Sequence, residues 1–326
     1  MFVFITVLKA MAAIMITNSH YTGVYPTDLI ANGGLLGDVI FFAVSGYCLV
    51  NIKQTFLRWY SKRIIRIFPI VWIITTLYIA LGFYSLDNWS LADYYLYPTY
   101  YHFVASIIVL YVAFYIVMKI RILEENIPKI MLALFIIEIL LFIFIYDKTS
   151  YHIDNVREPF IRFLFFQSML LGAYFRKNIQ IYVNKNNLLN WLALVVICIL
   201  YFSSKLVFVK ISSLSSYQIL NQIVLVVLLY YVLRCFAGIE DKLNSLPPKF
   251  NTIISFLAKI TLEIYVVQYV IIPKLTFLPF PLNWVLITFT ILLVAFILHV
   301  ISRKIIEIIE KIISKYFPEK ITRSSQ

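Results

Sequence analysis

The stretch FVFITVLKAMAAIMITNSH, residues 2–20, decides the fold class, because a predominantly apolar segment of this length spans a bilayer as a helix. Two ionisable side chains, Lys9 and His20, stand eleven residues apart in it. Eleven residues at about 100° each return to within roughly 20° of the starting face and rise about 16 Å. One face of a membrane helix is therefore expected to carry a cation at depth and an imidazole at its far end. Ionisable groups inside a bilayer are costly and by default indicate a functional site.

The rest of the chain has the same apolar character. Hydrophobic residues make up 62% of its 326 residues and charged residues 13%, whereas a soluble protein carries about 25% charged residues. The composition therefore predicts an all-α, polytopic membrane protein. Apolar runs of about 20 residues predict ten transmembrane helices, at residues 2–20, 33–51, 64–83, 102–119, 129–146, 160–176, 188–204, 217–236, 253–272 and 282–301.

The basic residues give this topology a direction. The even-numbered connections between spans, together with the C-terminal tail, carry 20 of the 28 Lys and Arg residues, and the odd-numbered connections carry five. The positive-inside rule then places both termini in the cytoplasm. It also accounts for the net charge of +12 without a nucleic-acid partner. We expect residues 1–301 to form one membrane domain, and residues 302–326 a short basic amphipathic tail along the membrane surface.

His20, Lys9 and Asp38 are the first candidate catalytic residues. His20 lies at the expected outer end of span 1, and Asp38 lies at a similar depth near the start of span 2. A carboxylate in that position can orient and charge-stabilise an imidazole. Plainer interpretations remain open at this point: an interfacial histidine, a lysine whose ammonium reaches the inner headgroups, and a carboxylate favoured by a helix N-terminus.

A second candidate site is basic and lies at the inner entrance of span 3. Arg63 and Arg66 are three residues apart, so both guanidinium groups occupy one helix face and can bind phosphate groups as forks. Membrane topology and lipid phosphates are the alternative reason for this pair.

Span 9 holds a third polar group. Glu263 falls near mid-membrane, where a carboxylate needs a cation or a proton. Lys259 is the expected partner, with Lys9 as a candidate from another helix, and Gln268 follows one turn further out. Glu138 in span 5 has no obvious partner, and His299 is interpreted as interfacial. Neither the histidines nor the three separated cysteines match the spacing of a metal site, so no metal is expected.

Four segments together resemble the acyltransferase family 3 integral-membrane proteins. They are a basic-x10-His pattern in span 1, an FF-x-x-SG-[YF] signature in span 2, an R-x-x-R-I-aromatic-P signature in span 3 and a late T-x-x-I-Y-x-x-[HQ] segment in span 9. In this chain they read, in that order, Lys9 and His20; Phe41, Phe42, Ser45, Gly46 and Tyr47; Arg63, Arg66, Ile67, Phe68 and Pro69; Thr261, Ile264, Tyr265 and Gln268. Two positions depart from the family pattern, since Lys9 stands where Arg is usual and Gln268 where many members have His.

The resemblance implies an O-acyltransferase that uses acyl-CoA, most often acetyl-CoA, as donor and a carbohydrate hydroxyl as acceptor. Arg63 and Arg66 would hold the CoA phosphates, Lys9 would lie along the path of the acyl group, and His20, oriented by Asp38, would act as general base or as a transient acyl carrier. Glu263, Lys259, Gln268 and Ser45 would contact substrate or hold the helices together. Gln268 could not be an essential base.

The expected location is the bacterial cytoplasmic (inner) membrane, with a cell-surface or lipid-linked carbohydrate as the acceptor. The competing function is a transporter or polymerase of polysaccharide or lipid-linked sugars that uses the buried charged residues as a proton relay. Transporters often contain paired halves, and no such duplication is visible in the sequence.

Overall fold

The computed structural model describes residues 2–87 and 89–316, and within these ranges the chain is helical and contains no strand. A 3₁₀ turn at Ser212–Tyr217 precedes α11. The helices are α1 (Val3–Ser19), α2 (Gly34–Cys48), α3 (Phe56–Ala80), α4 (Leu91–Tyr95), α5 (His102–Lys119), α6 (Arg121–Glu125), α7 (Ile127–Phe144), α8 (Ile161–Lys177), α9 (Ile179–Tyr182), α10 (Leu188–Lys210), α11 (Ile219–Gly238), α12 (Glu240–Asn244), α13 (Pro248–Lys259), α14 (Thr261–Lys274) and α15 (Leu282–Tyr316).

Every predicted span coincides with a helix, but fewer helices qualify as membrane spans on length and composition. Six of the described helices are long and apolar enough to cross a bilayer, or up to seven if α13 and α14 count as one broken span. Helices α1 and α2, with 17 and 15 residues, are apolar but short for a full crossing. The protein is therefore a multi-pass, all-helical membrane protein, whereas ten crossings with cytoplasmic termini stay a prediction.

The chain divides into two compact units. The first comprises Met1–Gln54 and His102–Thr261, and the second comprises Thr55–Tyr101 and Leu262–Gln326. The first unit contains α1, α2 and α5–α13. The second unit contains α3, α4, α14 and α15.

Glycines bring three helices of the first unit into backbone contact. A Cβ atom on Gly37 would lie 2.8 Å from Cγ1 of Ile16 in α1, and one on Gly46 would collide with the backbone of Met169 in α8. Gly172 of α8 faces the backbone of Ala43 in the same way. Small residues allow such close approach in a membrane, where packing rather than hydrophobic exclusion holds helices together. The glycine-rich span 2 therefore packs between α1 and α8, as its composition indicates.

A carboxylate fixes the start of α1. The two oxygens of the buried Glu240 accept hydrogen bonds from the backbone N–H groups of Val3 and Phe4, at 2.7 and 2.8 Å. These donors have no partner within the helix, and a negative charge at this end complements the helix dipole. Helix α1 is thereby anchored at its first turn.

The second unit is built on α3, α14 and α15. Tyr78 of α3 donates a hydrogen bond of 2.9 Å to the carbonyl of Val267 in α14. A cluster of tyrosines, including Tyr84, Tyr100 and Tyr101, packs where α3 ends and the segment before α5 begins, with ring centroids 4.6 Å apart for Tyr84 and Tyr100.

Two predicted boundaries are corrected. Span 9 was expected to be one helix, but it is interrupted at Ile260 into α13 and α14. The last helix was expected to end near residue 301, but α15 continues through the buried Ser302 to Tyr316. The division between a membrane domain and a tail at residue 301 stays a prediction, and residues 317–326 lie outside the described residues.

Candidate active site

His20 is the residue that directly follows α1. Its backbone N–H donates a hydrogen bond of 3.0 Å to the carbonyl of Thr17, so the residue continues the last turn of the helix. Its side chain is exposed, unlike most of the helix before it. The imidazole is therefore accessible to a substrate at this end of α1.

Asp38 is buried in the second turn of α2. Gly33, directly before α2, has a φ of 94°, which only glycine adopts readily. At Gly34 a Cβ atom would lie 2.8 Å from the Cβ of Ser19, so this turn packs closely against the end of α1. The Asp38 side chain makes no hydrogen bond to a described residue. The predicted neighbourhood with His20 is present, but a direct carboxylate–imidazole bond is absent.

Lys9 lies half-buried in α1, towards the other end of the first unit. A second cation of the first unit, Arg176, lies in the last turn of α8. The guanidinium of Arg176 lies 5.3 Å from the ring centroid of Tyr47 and donates to its hydroxyl at 3.4 Å. Lys9 and Arg176 thus form a basic end of the first unit. The sequence reasoning missed Arg176, because it counted this residue only toward topology.

The FF-x-x-SG-Y segment joins three helices, α2, α5 and α8. Phe42 stacks on Phe165 of α8 at 4.4 Å, and Phe41 contacts Phe103 of α5 at 4.7 Å. Ser45 lies 3.5 Å from the hydroxyl of Tyr111, a long hydrogen bond. In this structure the segment therefore packs helices together, and Ser45 belongs to that packing.

Arg63 and Arg66 lie in α3 of the second unit. The Arg63 guanidinium lies over the ring of Trp59, 5.0 Å from its centroid, and Arg66 forms a loose ion pair of 3.8 Å with Glu310 of α15. The Arg66 side chain is 65% exposed, so that pair contributes little stability and leaves the guanidinium accessible. Arg66 is therefore accessible to an anionic ligand on the face of α3 that also carries Arg63.

Glu263 has a partner that the sequence did not indicate, His299. Its Oε1 lies 2.7 Å from Nδ1 of His299 in α15. Lys259 is exposed and makes no ion pair with a described residue, because the break at Ile260 interrupts the helix on which the i, i+4 spacing depends. His299, interpreted from sequence as interfacial, is therefore half of a buried carboxylate–imidazole pair. Sequence spacing gave no signal for it, since 36 residues separate the two.

Gln268 is fully buried in α14, and neither its amide nitrogen nor its oxygen has a hydrogen-bond partner among the described residues. A buried amide without partners is costly and marks a place where water or a ligand is expected. Thr261 and Tyr265 of the same segment are buried as well.

Glu138, which lacked an obvious partner, is paired in the first unit. Gln167 of α8 donates a hydrogen bond of 2.7 Å to its Oε2, and both side chains are buried. In the outer connection His152 stacks on Tyr146. Across residues 2–87 and 89–316, no group of three or more His, Cys, Asp or Glu side chains is arranged to hold a metal ion.

Comparison with known proteins identifies the family. A family model described as an acyltransferase domain, that of acyltransferase family 3, matches residues 2–301. None of the curated proteins compared matches the chain, and neither does any of the solved structures. The matched range contains all four segments of the resemblance and nearly the whole helical region. The chain therefore belongs to acyltransferase family 3.

Proposed function

We propose that the protein transfers an acyl group, most simply acetyl, from acyl-CoA to a hydroxyl of a cell-surface or lipid-linked carbohydrate at the bacterial cytoplasmic membrane. Family membership supports the acyltransferase activity. The observation that carries the proposal is the position of His20, an exposed imidazole at one end of a helix whose opposite half carries Lys9.

His20 is proposed to act as general base. A neutral imidazole accepts the proton of the acceptor hydroxyl as that oxygen attacks the thioester carbonyl. The carbon–sulfur bond then breaks, and the CoA sulfur leaves as a thiol after taking the proton back from the imidazolium. If His20 instead carries the acyl group transiently, its nitrogen bonds to the acyl carbon as the carbon–sulfur bond breaks and the CoA thiol leaves with the imidazole proton. The acceptor oxygen then forms the ester as the acyl–nitrogen bond breaks, and the hydroxyl proton returns to the imidazole.

Asp38 is proposed to stabilise the imidazolium. Since it makes no hydrogen bond to a described residue, we assign it an electrostatic role from the adjacent helix. The tight contacts of Gly34 and Gly37 with α1 support this role, because they fix the separation of the two helix ends.

The donor is proposed to bind through its phosphates to Arg63 and Arg66 of α3. The exposure of Arg66 and the shared helix face of the pair support this assignment. On the topology predicted from sequence, these residues face the cytoplasm, where CoA is found.

The replacement of His20 by Ala tests the proposal. We expect loss of at least about 100-fold in acyl transfer, because a general base contributes about 10²–10⁴-fold. Ester groups on surface glycans are measured by mass spectrometry in cells with the wild-type gene, the variant or no gene. His152→Ala, a substitution in an outer connection, is the matched control. Full acylation by a folded His20→Ala protein would contradict the assignment.

Arg66→Ala tests the donor site separately. The apparent KM for acetyl-CoA should rise about tenfold with a smaller change in kcat, because a charge-assisted hydrogen bond to phosphate contributes about 1.5 kcal/mol. Arg121→Ala is the control, since Arg121 is an exposed arginine already paired with Glu125 at 2.7 Å. An unchanged KM in Arg66→Ala would remove Arg66 from the donor site.

A further inference from the structure

A cleft of about 700 Å³ opens in the first unit between α1, α10 and the segment before α2. On α10 it is lined by Phe202, Lys205, Leu206 and Val209, which at spacings of three, four and seven residues form one helix face. Met15 lines it from α1. The α10 face extends over about 10 Å of helix rise.

The walls of the cleft are suited to hydrocarbon. Most of the lining residues are aliphatic or aromatic, and α10 is the candidate span with the smallest buried share, 11% of its apolar stretch. Leu206 and Val209 are 44% and 55% exposed. A helix that is apolar and exposed along its length faces lipid, so the cleft opens to the bilayer rather than to water.

One charged side chain of the cleft, Lys205, is held in position by neighbouring side chains. The Lys205 ammonium lies 2.8 Å from Oδ2 of Asp154, which also accepts a hydrogen bond of 2.6 Å from Tyr151. Tyr151 accepts one of 2.9 Å from the buried Asn221, and Asn221 in turn accepts one of 2.7 Å from Ser204. Lys205 is therefore held at the cleft by a network.

The Lys205 ammonium has N–H groups that are not bonded to a described residue. Asp154 accounts for one of its three N–H groups among the described residues. The other oxygen of Asp154 is buried and accepts no hydrogen bond from a described residue. The cleft thus combines an apolar groove with a fixed cation, which suits an amphiphile with an anionic head.

The cleft also reaches the candidate catalytic end of α1. Asn18 lines it two residues before His20, and its amide donates hydrogen bonds to the carbonyls of Ile30 and Asn32, at 2.8 and 3.0 Å. Those bonds tie the segment before α2 over the end of α1. An occupant of the cleft would therefore have its head group close to His20.

We infer that this cleft binds the hydrocarbon chain and phosphate of a polyprenyl-phosphate-linked sugar, and so presents the acceptor hydroxyl to His20. This inference rests on the proposed function and narrows its acceptor to a lipid-linked carbohydrate. Lys205 contacts the phosphate, and Phe202 and Leu206 contact the chain.

The test uses the full chain in nanodiscs and labelled polyprenyl phosphate as the probe. Leu206→Trp narrows the groove, and Lys205→Met removes the cation while keeping an unbranched side chain. We expect either substitution to weaken binding about tenfold, and Lys205→Arg to restore most of it. Val196→Trp is the matched control, because Val196 is a 62% exposed residue of α10 outside the cleft, and it should bind as the wild type does. The apparent melting temperature of each variant shows whether it is folded.

Binding by Leu206→Trp and Lys205→Met equal to that of Val196→Trp would overturn the inference. Equal displacement of the probe by phosphatidylglycerol would also overturn it, since the cleft would then hold ordinary membrane lipid. If the wild-type protein acylates a lipid-linked sugar and Leu206→Trp has the same KM for that sugar, the cleft is not the acceptor site but the proposed transfer stands. If the cleft binds polyprenyl phosphate but deletion of the gene leaves the surface glycans unchanged, the proposed transfer is wrong and the cleft assignment stands.

Discussion

Helices α7 and α8 follow each other in the chain and both coincide with spans predicted from the sequence, yet they differ in burial. Every residue of α8 from Leu164 to Ala173 is buried, whereas α7 buries only Ile127, Glu138 and Phe142. The more uniformly apolar helix is thus the more exposed one. In a bilayer an apolar surface needs no protein partner, since lipid satisfies it.

The difference shows which side chains identify the protein-facing side of a membrane helix. On α7 the buried stripe is recognised by its one carboxylate, Glu138, which meets Gln167 of α8. On α8 it is recognised by small and polar residues, among them Ser168 and Gly172. The active-site helices α1 and α2 resemble α8 in this respect, because they too pack through glycine and alanine.

The largest expected effect comes from α8. Gly172→Ala places a Cβ against the backbone of Ala43, which cannot move aside as a flexible side chain would. We expect destabilisation of about 1–3 kcal/mol or more, because overpacking separates α2 from α8. Thermal unfolding in detergent measures it. Gly238→Ala is the control, since its Cβ would meet its nearest atom at 3.2 Å. A Gly172→Ala protein as stable as this control would show that the helices tolerate separation.

A smaller loss of stability is expected from changes at the contact between α7 and α8. Gln167→Leu leaves the buried Glu138 without its hydrogen bond and should cost about 1–3 kcal/mol, whereas Glu138→Leu combined with Gln167→Leu should recover most of that loss. Ile136→Ala, on the exposed face of α7 at 51% exposure, should change stability by no more than about 0.5 kcal/mol. Unfolding curves of the wild type, Gln167→Leu, Glu138→Leu and the double variant give the coupling free energy. Strictly additive losses would mean that the pair is not an interaction unit.

Much of the helical layout could be predicted from the sequence, because length and hydropathy alone decide where a membrane helix forms. The predicted span 102–119 coincides with α5, and the glycines of span 2 predicted close packing. The break at Ile260 could not be predicted, since no proline or glycine marks it. The continuation of α15 beyond Ser302 was also missed, because the charge pattern changes there while helix propensity does not.

The residues of the candidate site could be predicted from the sequence, but most of their partners could not. Lys9, His20, Asp38, Arg63 and Arg66 could be named from local spacing within single helices. The partners of Glu263 and Glu138, and the anchoring of α1 by Glu240, join residues 36, 29 and more than 230 positions apart. Such pairs leave no periodic signal in one sequence.

By itself, the sequence determined that this protein is helical, lies in a membrane and belongs to acyltransferase family 3, because each of these depends on local composition and short motifs. Only the tertiary structure decided which apolar helices are left exposed, which group each buried carboxylate meets, and that a cleft opens beside the last turns of α1. The physical reason is that a bilayer accepts any apolar surface, so hydropathy identifies the helices but not their neighbours. Backbone contact at glycines and hydrogen bonds between distant polar side chains select those neighbours.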